Sequence, residues 1–135
     1  MRAKGDSFKR LAGNPAEGVV GGRMAHSLRS LGSAACNYGM VAQGGMDFYW
    51  EIGCWPWDIC AGAIIAQEAG CLVAGSHIAP LDNDVNKSVL TGRKYIVIRA
   101  IGDTETERGV DAQKRLIKEF VEQMYDSLVI RKGLR

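Results

Sequence analysis

The chain has no long hydrophobic run. Its longest apolar stretch, Ile59 to Ala66, falls far short of the roughly 20 residues that a membrane-spanning helix needs. A polybasic run is missing too: with a formal net charge of +2 and a pI near 8.4, nothing in the sequence would clamp nucleic acid or an anionic membrane, and neither is expected as a partner. Met1 to Arg10 are basic and polar with no apolar segment behind them, so they do not read as a secretory signal, and a cytoplasmic location is expected. The four cysteines, Cys36, Cys54, Cys60 and Cys71, include no C-x-x-C pair, and neither His26 nor His77 stands at ligand spacing from one of them, which disfavours zinc. Without an export signal the thiols are expected to be reduced, and to serve as buried structural groups.

What is present has the make-up of one globular domain with a real core: 135 residues, 47% hydrophobic and 24% charged. Residues 1–23 are rich in Gly, Lys and Asn and read as a flexible segment, residues 24–130 as the domain, and residues 131–135 as a frayed, solvated tail. Within the domain, Met24 to Leu31 is expected to be a strand. Gly32 ends it, and Ser33 caps a helix carrying Tyr38, Val41 and Ala42, closed by Gly44 and Gly45. From Met46 to Ile52 the residues alternate, Met46, Phe48, Trp50 and Ile52 against Asp47, Tyr49 and Glu51, as in a half-buried strand. Pro56 can open a helix that runs through Asp58 to Ala69 and stops at Gly70. Strands are expected at Cys71 to Ala74 and Tyr95 to Ile101, around a polar loop at Pro80, Asp82 and Asn83, and a helix at Val110 to Leu128. Alternating strands and helices predict an α/β fold, a layered sheet covered by helices.

Two places carry unusual chemistry. In Glu51-Ile52-Gly53-Cys54-Trp55-Pro56-Trp57-Asp58 one carboxylate ends a strand and a second opens a helix, so two acids converge across a turn. Asp58 would be favoured at a helix N-terminus as a cap whatever else it did, and Glu51 reads equally well as a solvated strand residue. Gly32-Ser33-Ala34 is a small-residue turn into a helix, whose exposed amides suit phosphate or carboxylate, although most such turns bind nothing. The acidic stretch Asp82-Asn83-Asp84-Val85-Asn86 reads as a solvated turn: Lys87 stands where a calcium loop needs glycine, and Arg93 where it needs a bidentate glutamate.

The segment Trp57-Asp58-Ile59-Cys60-Ala61-Gly62-Ala63-Ile64-Ile65-Ala66-Gln67-Glu68-Ala69-Gly70 is similar to the C-terminal motif of inositol monophosphatases, a Trp-Asp followed by a small-residue helix ending in Glu-Ala-Gly. Leu28 to Asn37, Val41 to Gly45, and Asp47 to Glu51 follow that family's order, and residues 9–22 and 92–112 resemble its fungal branch. The resemblance implies the C-terminal half of an αβαβα sandwich and magnesium-dependent hydrolysis of inositol monophosphate or a similar phosphomonoester, with a homodimer as the family's usual assembly. It also implies that Asp58 is a magnesium ligand and a catalytic, substrate-side residue. Glu51 would hydrogen-bond a substrate hydroxyl, and Gly32, Ser33 and Ala34 would line the substrate and its phosphate.

The family's N-terminal half supplies a metal-binding glutamate and an Asp-Pro-x-Asp-Gly-Thr motif, neither of which occurs here, so the chain alone is expected to be inactive. Cys71 stands where the family usually has Gly or Ala. Two other readings stay open: a phosphatase for another sugar or nucleotide phosphate, and a non-catalytic binding or dimerisation module that kept the fold.

Overall fold

A computed structural model describes residues 2–75 and 80–132, with side chains for residues 5–75 and 80–122. It divides into two compact units, residues 31–118 and residues 1–30 with 119–135.

The smaller unit begins with helix α1, Arg2–Ala12, followed by a single 3-10 turn at Pro15–Glu17 that Asn14 caps. A flexible segment was expected here. The glycine-rich composition hides a helical spacing in which Ser7 and Leu11, four residues apart, are both buried on one face. Met24 to Leu31 forms no strand. Met24 takes a positive φ of 50°, which breaks an extended run, and Met24 and Leu31 are both exposed.

The larger unit builds a three-stranded antiparallel sheet from β1 (Phe48–Ile52), β2 (Leu72–Ala74) and β3 (Lys94–Ile98), in the order β1-β3-β2. The central strand β3 pairs Glu51 with Tyr95 on one side and Val73 with Val97 on the other. Tyr95 through Ile98 are all buried, as a strand covered on both faces should be. Helices α2 (Ala34–Ala42) and α3 (Pro56–Glu68) pack on each other and on one face of the sheet. Tyr38, Val41, Ile59, Ala63, Ala66, Val73, Tyr95 and Val97 make one core there. Gly62 lets the helices close up: a Cβ on it would lie 2.6 Å from Tyr38 Cβ. The molecule is therefore α/β, a small layered sheet under helices.

Helix α4, Lys87–Gly92, has no counterpart in the sequence reading. Its cap was legible: Asn86 Oδ1 accepts from the amides of Ser88 and Val89 at 2.9 and 3.2 Å. Nor is the acidic stretch before it simply solvated. Asn83, with φ of 64°, turns its side chain inward, where Oδ1 accepts from Val73 N at 2.8 Å and Nδ2 donates to the Cys71 carbonyl at 3.3 Å. The side chain stands in for a neighbouring strand along β2.

Helix α5, Gly109–Lys132, starts where Asp103 accepts from Gly109 N at 2.7 Å, and the Gln113 amide binds the carbonyls of Gly70 and Arg99 at 3.1 and 2.8 Å. Arg131 and Lys132, expected in a frayed tail, belong to this helix, and residues 133–135 lie outside the described residues, as does His77. All four cysteines are free. Only Cys71 is fully buried, while Cys36 and Cys60 are exposed on the outer faces of α2 and α3, so the expectation of four buried thiols is corrected.

Candidate active site

The stretch from β1 to α3 sets two carboxylates around one turn. Glu51 is the penultimate residue of β1 and lies, with Tyr49, on the strand face that meets α2, where Tyr49 packs edge-on against Tyr38 with ring centroids 5.8 Å apart. Its carboxylate accepts from Tyr49 Oη at 3.2 Å and from the Ile52 amide at 2.8 Å. After Gly53, whose φ of 104° suits only glycine, the chain turns into α3. Trp55 occupies the N-cap in extended conformation, Pro56 the first helical position, and Asp58 the third. Asp58 Oδ2 accepts from the Trp55 amide at 2.8 Å, closing the helix start. An indole cannot return that bond, so Asp58 N donates to the Trp55 carbonyl instead, at 3.0 Å.

Between the two acids sits Cys54. Burial pushes its thiol above the usual range, and the Glu51 and Asp58 carboxylates push it further. The Tyr49 hydroxyl is also held protonated, by burial first and by Glu51 second, while Asn37 acts in the opposite sense.

Ser33 is the N-cap of α2. Its Oγ accepts from Cys36 N at 3.2 Å, leaving the amides of Ala34 and Ala35 ahead of the first helical bond, which Asn37 N makes to the Ser33 carbonyl at 3.0 Å. Gly32, with φ of 72°, makes the turn before it. Asn37, 5% exposed, braces this turn: its Nδ2 donates to the Ser33 carbonyl at 2.9 Å.

The sequence-predicted residues thus fall at three places in one unit: Gly32, Ser33 and Ala34 at the start of α2, Glu51 at the end of β1 and Asp58 at the start of α3. Glu51 and Asp58 stand on either side of one turn, Tyr49 holds Glu51, and Asn37 holds the Ser33 carbonyl. Sequence reasoning missed Asn37, Tyr49 and Arg93 as contributors. For Tyr49 the signal was its position two residues from Glu51 on the same strand face. Arg93, far away in sequence, left none.

Glu51 and Asp58 are oxygen donors, the kind a hard divalent cation prefers. Among the described residues no group of three or more His, Cys, Asp or Glu side chains is placed to hold a metal ion. The helix cap engages Asp58 through Oδ2, not Oδ1.

The sequence matches the description "Inositol monophosphatase family" over residues 6–123. The chain belongs to the inositol monophosphatase family. Similar curated proteins include protein qutG of Emericella nidulans, 38% identical over 120 residues that make up 88% of this chain and 36% of that protein. The "Quinic acid degradation cluster protein x" of Neurospora crassa is 39% identical over 124 residues, 86% of this chain and 35% of that protein. Inositol monophosphatase 2 of Saccharomyces cerevisiae is 39% identical over 99 residues, 73% of this chain and 30% of that protein. The chain therefore spans about a third of the length of the curated relatives it matches. No solved structure matches it significantly.

Proposed function

We propose that this chain carries the C-terminal share of a magnesium-dependent phosphomonoesterase site acting on inositol monophosphate. The observation that supports the reading is the placement of Glu51 at the end of β1 and Asp58 at the start of α3, on either side of one turn, in the same unit as the capped α2 turn.

Asp58 would contribute one carboxylate ligand through Oδ1 while Oδ2 stays on the helix cap, which fixes the ligand's direction. Magnesium, when bound, would polarise the phosphate and lower the pKa of an attacking water. Glu51, oriented by Tyr49 and the Ile52 amide, would accept a hydrogen bond from a substrate hydroxyl and so set the ring's position. The amides at the start of α2 would face the phosphate oxygens, with the partial positive charge of the helix N-terminus behind them. One carboxylate ligand does not hold two ions about 4 Å apart, as two-metal hydrolysis requires, so the remaining donors must come from sequence like that which the longer relatives possess. Cytoplasmic action and a homodimer belong to the same proposal. Among the described residues no helix is long and apolar enough to cross a membrane.

A second reading is favoured by the names of two relatives that cover most of the chain. With one named for a quinic acid degradation cluster, the ester could be the phosphate of another cyclic polyol. Phosphate release is measured across a magnesium titration for this chain, for the chain joined behind the N-terminal part of Inositol monophosphatase 2, and for that joined protein with Asp58→Asn. The chain alone is expected to be inactive, the joined protein active, and Asp58→Asn to lose about a hundredfold or more. An undiminished Asp58→Asn protein removes Asp58 from the metal site. A joined protein inactive on inositol monophosphate but active on a quinate phosphate selects the second reading, and inactivity on both selects a non-catalytic module.

A further inference from the structure

Arg93 reaches across from the start of β3 to the turn that joins the two acids. Its guanidinium Nη2 donates to the Gly53 carbonyl and its Nε to the Cys54 carbonyl at 3.4 Å, so the fork holds two successive peptide groups between Glu51 and Asp58. From the other side the Gly53 amide donates to the Arg93 carbonyl at 2.8 Å. The guanidinium carbon lies 3.9 Å from the centre of the Trp55 ring, and Trp55 in turn stacks on Trp57 at 5.2 Å with the rings 10° from parallel. Arginine, two indoles and two carbonyls thus form one ladder along the Gly53–Trp57 turn.

The backbone at Arg93 is itself unusual. It sits in the left-handed region, φ 53° and ψ 29°, closing α4, and Gly92 is next to it. Glycine is the residue that takes this conformation without steric cost, so a glycine one position later would have closed the helix more cheaply. The arginine's strain is offset by what its side chain grips. Lysine could not replace it, because a single ammonium cannot bind two carbonyls in a plane and stack on indole at once.

We infer that Arg93 is a positioning residue which fixes the Gly53–Trp57 turn and thereby the relative placement of the Glu51 and Asp58 carboxylates. Its grip is on the backbone between them, at the Gly53 and Cys54 carbonyls. The inference rests on the proposed metal role of Asp58 for its functional half only.

The test uses this chain with Arg93→Gly, Arg93→Lys and Asp58→Asn. Arg93→Gly suits the local φ, so the fold is kept while the clamp is removed. Two readouts are taken well below the unfolding temperature: the circular-dichroism couplet of the stacked Trp55 and Trp57, and quenching of tryptophan fluorescence by Mn2+ alone. Arg93→Gly is expected to leave the far-ultraviolet spectrum and the urea midpoint near wild type, flatten the couplet, and weaken Mn2+ binding about tenfold or more. Arg93→Lys should restore neither readout fully. An unchanged couplet in Arg93→Gly overturns the inference, as does full recovery of both signals by lysine, which would make the charge alone sufficient. If this chain shows no Mn2+ quenching that Asp58→Asn abolishes, the same variants are titrated in the joined protein that supplies the remaining donors, where its absence sinks the metal reading, and the couplet still decides whether Arg93 holds the turn. Asp58-dependent quenching that survives Arg93→Gly undiminished leaves the metal reading standing and sinks the positioning role.

Discussion

Replacing Gly62 by alanine puts a methyl group 2.6 Å from Tyr38 Cβ and 3.0 Å from its Cγ, at the closest approach of α2 and α3. Tyr38 cannot swing away, since it is fully buried and the clash is at its Cβ rather than at a flexible end. The helices must part, and overpacking of this kind costs about 1–3 kcal/mol. Alanine returns about 1 kcal/mol of helix propensity, so the expected net loss is about 0–2 kcal/mol. The control is Gly39→Ala in α2, where an added Cβ meets nothing within 4 Å and propensity alone should stabilise by about 0.5–1 kcal/mol. Urea unfolding followed by circular dichroism separates the two: with a slope of about 1.5 kcal/mol/M, the Gly62→Ala midpoint should lie below that of Gly39→Ala by about 0.3–2 M. Because α2 carries Ser33 and α3 carries Asp58, the joined enzyme with Gly62→Ala should also lose activity at temperatures where it stays folded. A Gly62→Ala chain as stable as Gly39→Ala would refute the close approach and the spacing of the site derived from it.

Two further outcomes follow from the same region. Among the described residues the buried Tyr38 hydroxyl has no hydrogen-bond partner, so Tyr38→Phe should be neutral or stabilising by about 1 kcal/mol at pH 7. Burial raises Tyr38, Tyr49 and Tyr95 above the phenol value of 10.0, and Cys54 and Cys71 above the thiol value of 9.0. The stability these groups hold is complete below those unfolded values and is lost as pH rises above them, so unfolding should set in above pH 9–10, and later in Tyr38→Phe. Peptide mapping after alkylation at pH 8 should find Cys36 and Cys60 modified before Cys54. Asp58→Asn, which keeps a capping oxygen, should speed Cys54 about two- to threefold by removing a neighbouring negative charge, and an unchanged rate would place Asp58 away from it.

The strand at β1 and the helix starts at Ser33 and Pro56 were legible because each is written locally: alternation, a hydroxyl cap, a proline at the first helical position. The structure puts β1 at Phe48–Ile52 and α3 at Pro56–Glu68, within two residues of the expected limits. What failed depended on tertiary partners. Met24 to Leu31 has the residues of a strand, yet Met24 takes a positive φ that breaks the extended run, and apolar residues alone do not make a strand without a paired neighbour. Conversely, α1 was hidden because Gly18, Gly21 and Gly22 lead a composition-based reading of residues 1–23 towards a loop, whereas the burial of Ser7 and Leu11 depends on what covers them.

The site shows the same division, with a consequence for how its geometry is held. Asp58 was given two rival roles from sequence, helix cap and metal ligand, as though one excluded the other. The carboxylate has two oxygens, and in the structure the cap uses only Oδ2. Holding that oxygen on the Trp55 amide is what would give Oδ1 a defined direction, since a carboxylate free to rotate aims at nothing. Glu51 is arranged in the same way, one oxygen on the Ile52 amide and the other on Tyr49. The capping bonds that any helix or strand end might make are thus the means by which these acids are oriented. Residues that act through space, Arg93 at the turn between them and Asn37 beneath Ser33, could be found only once the sheet and the two helices had brought distant positions together.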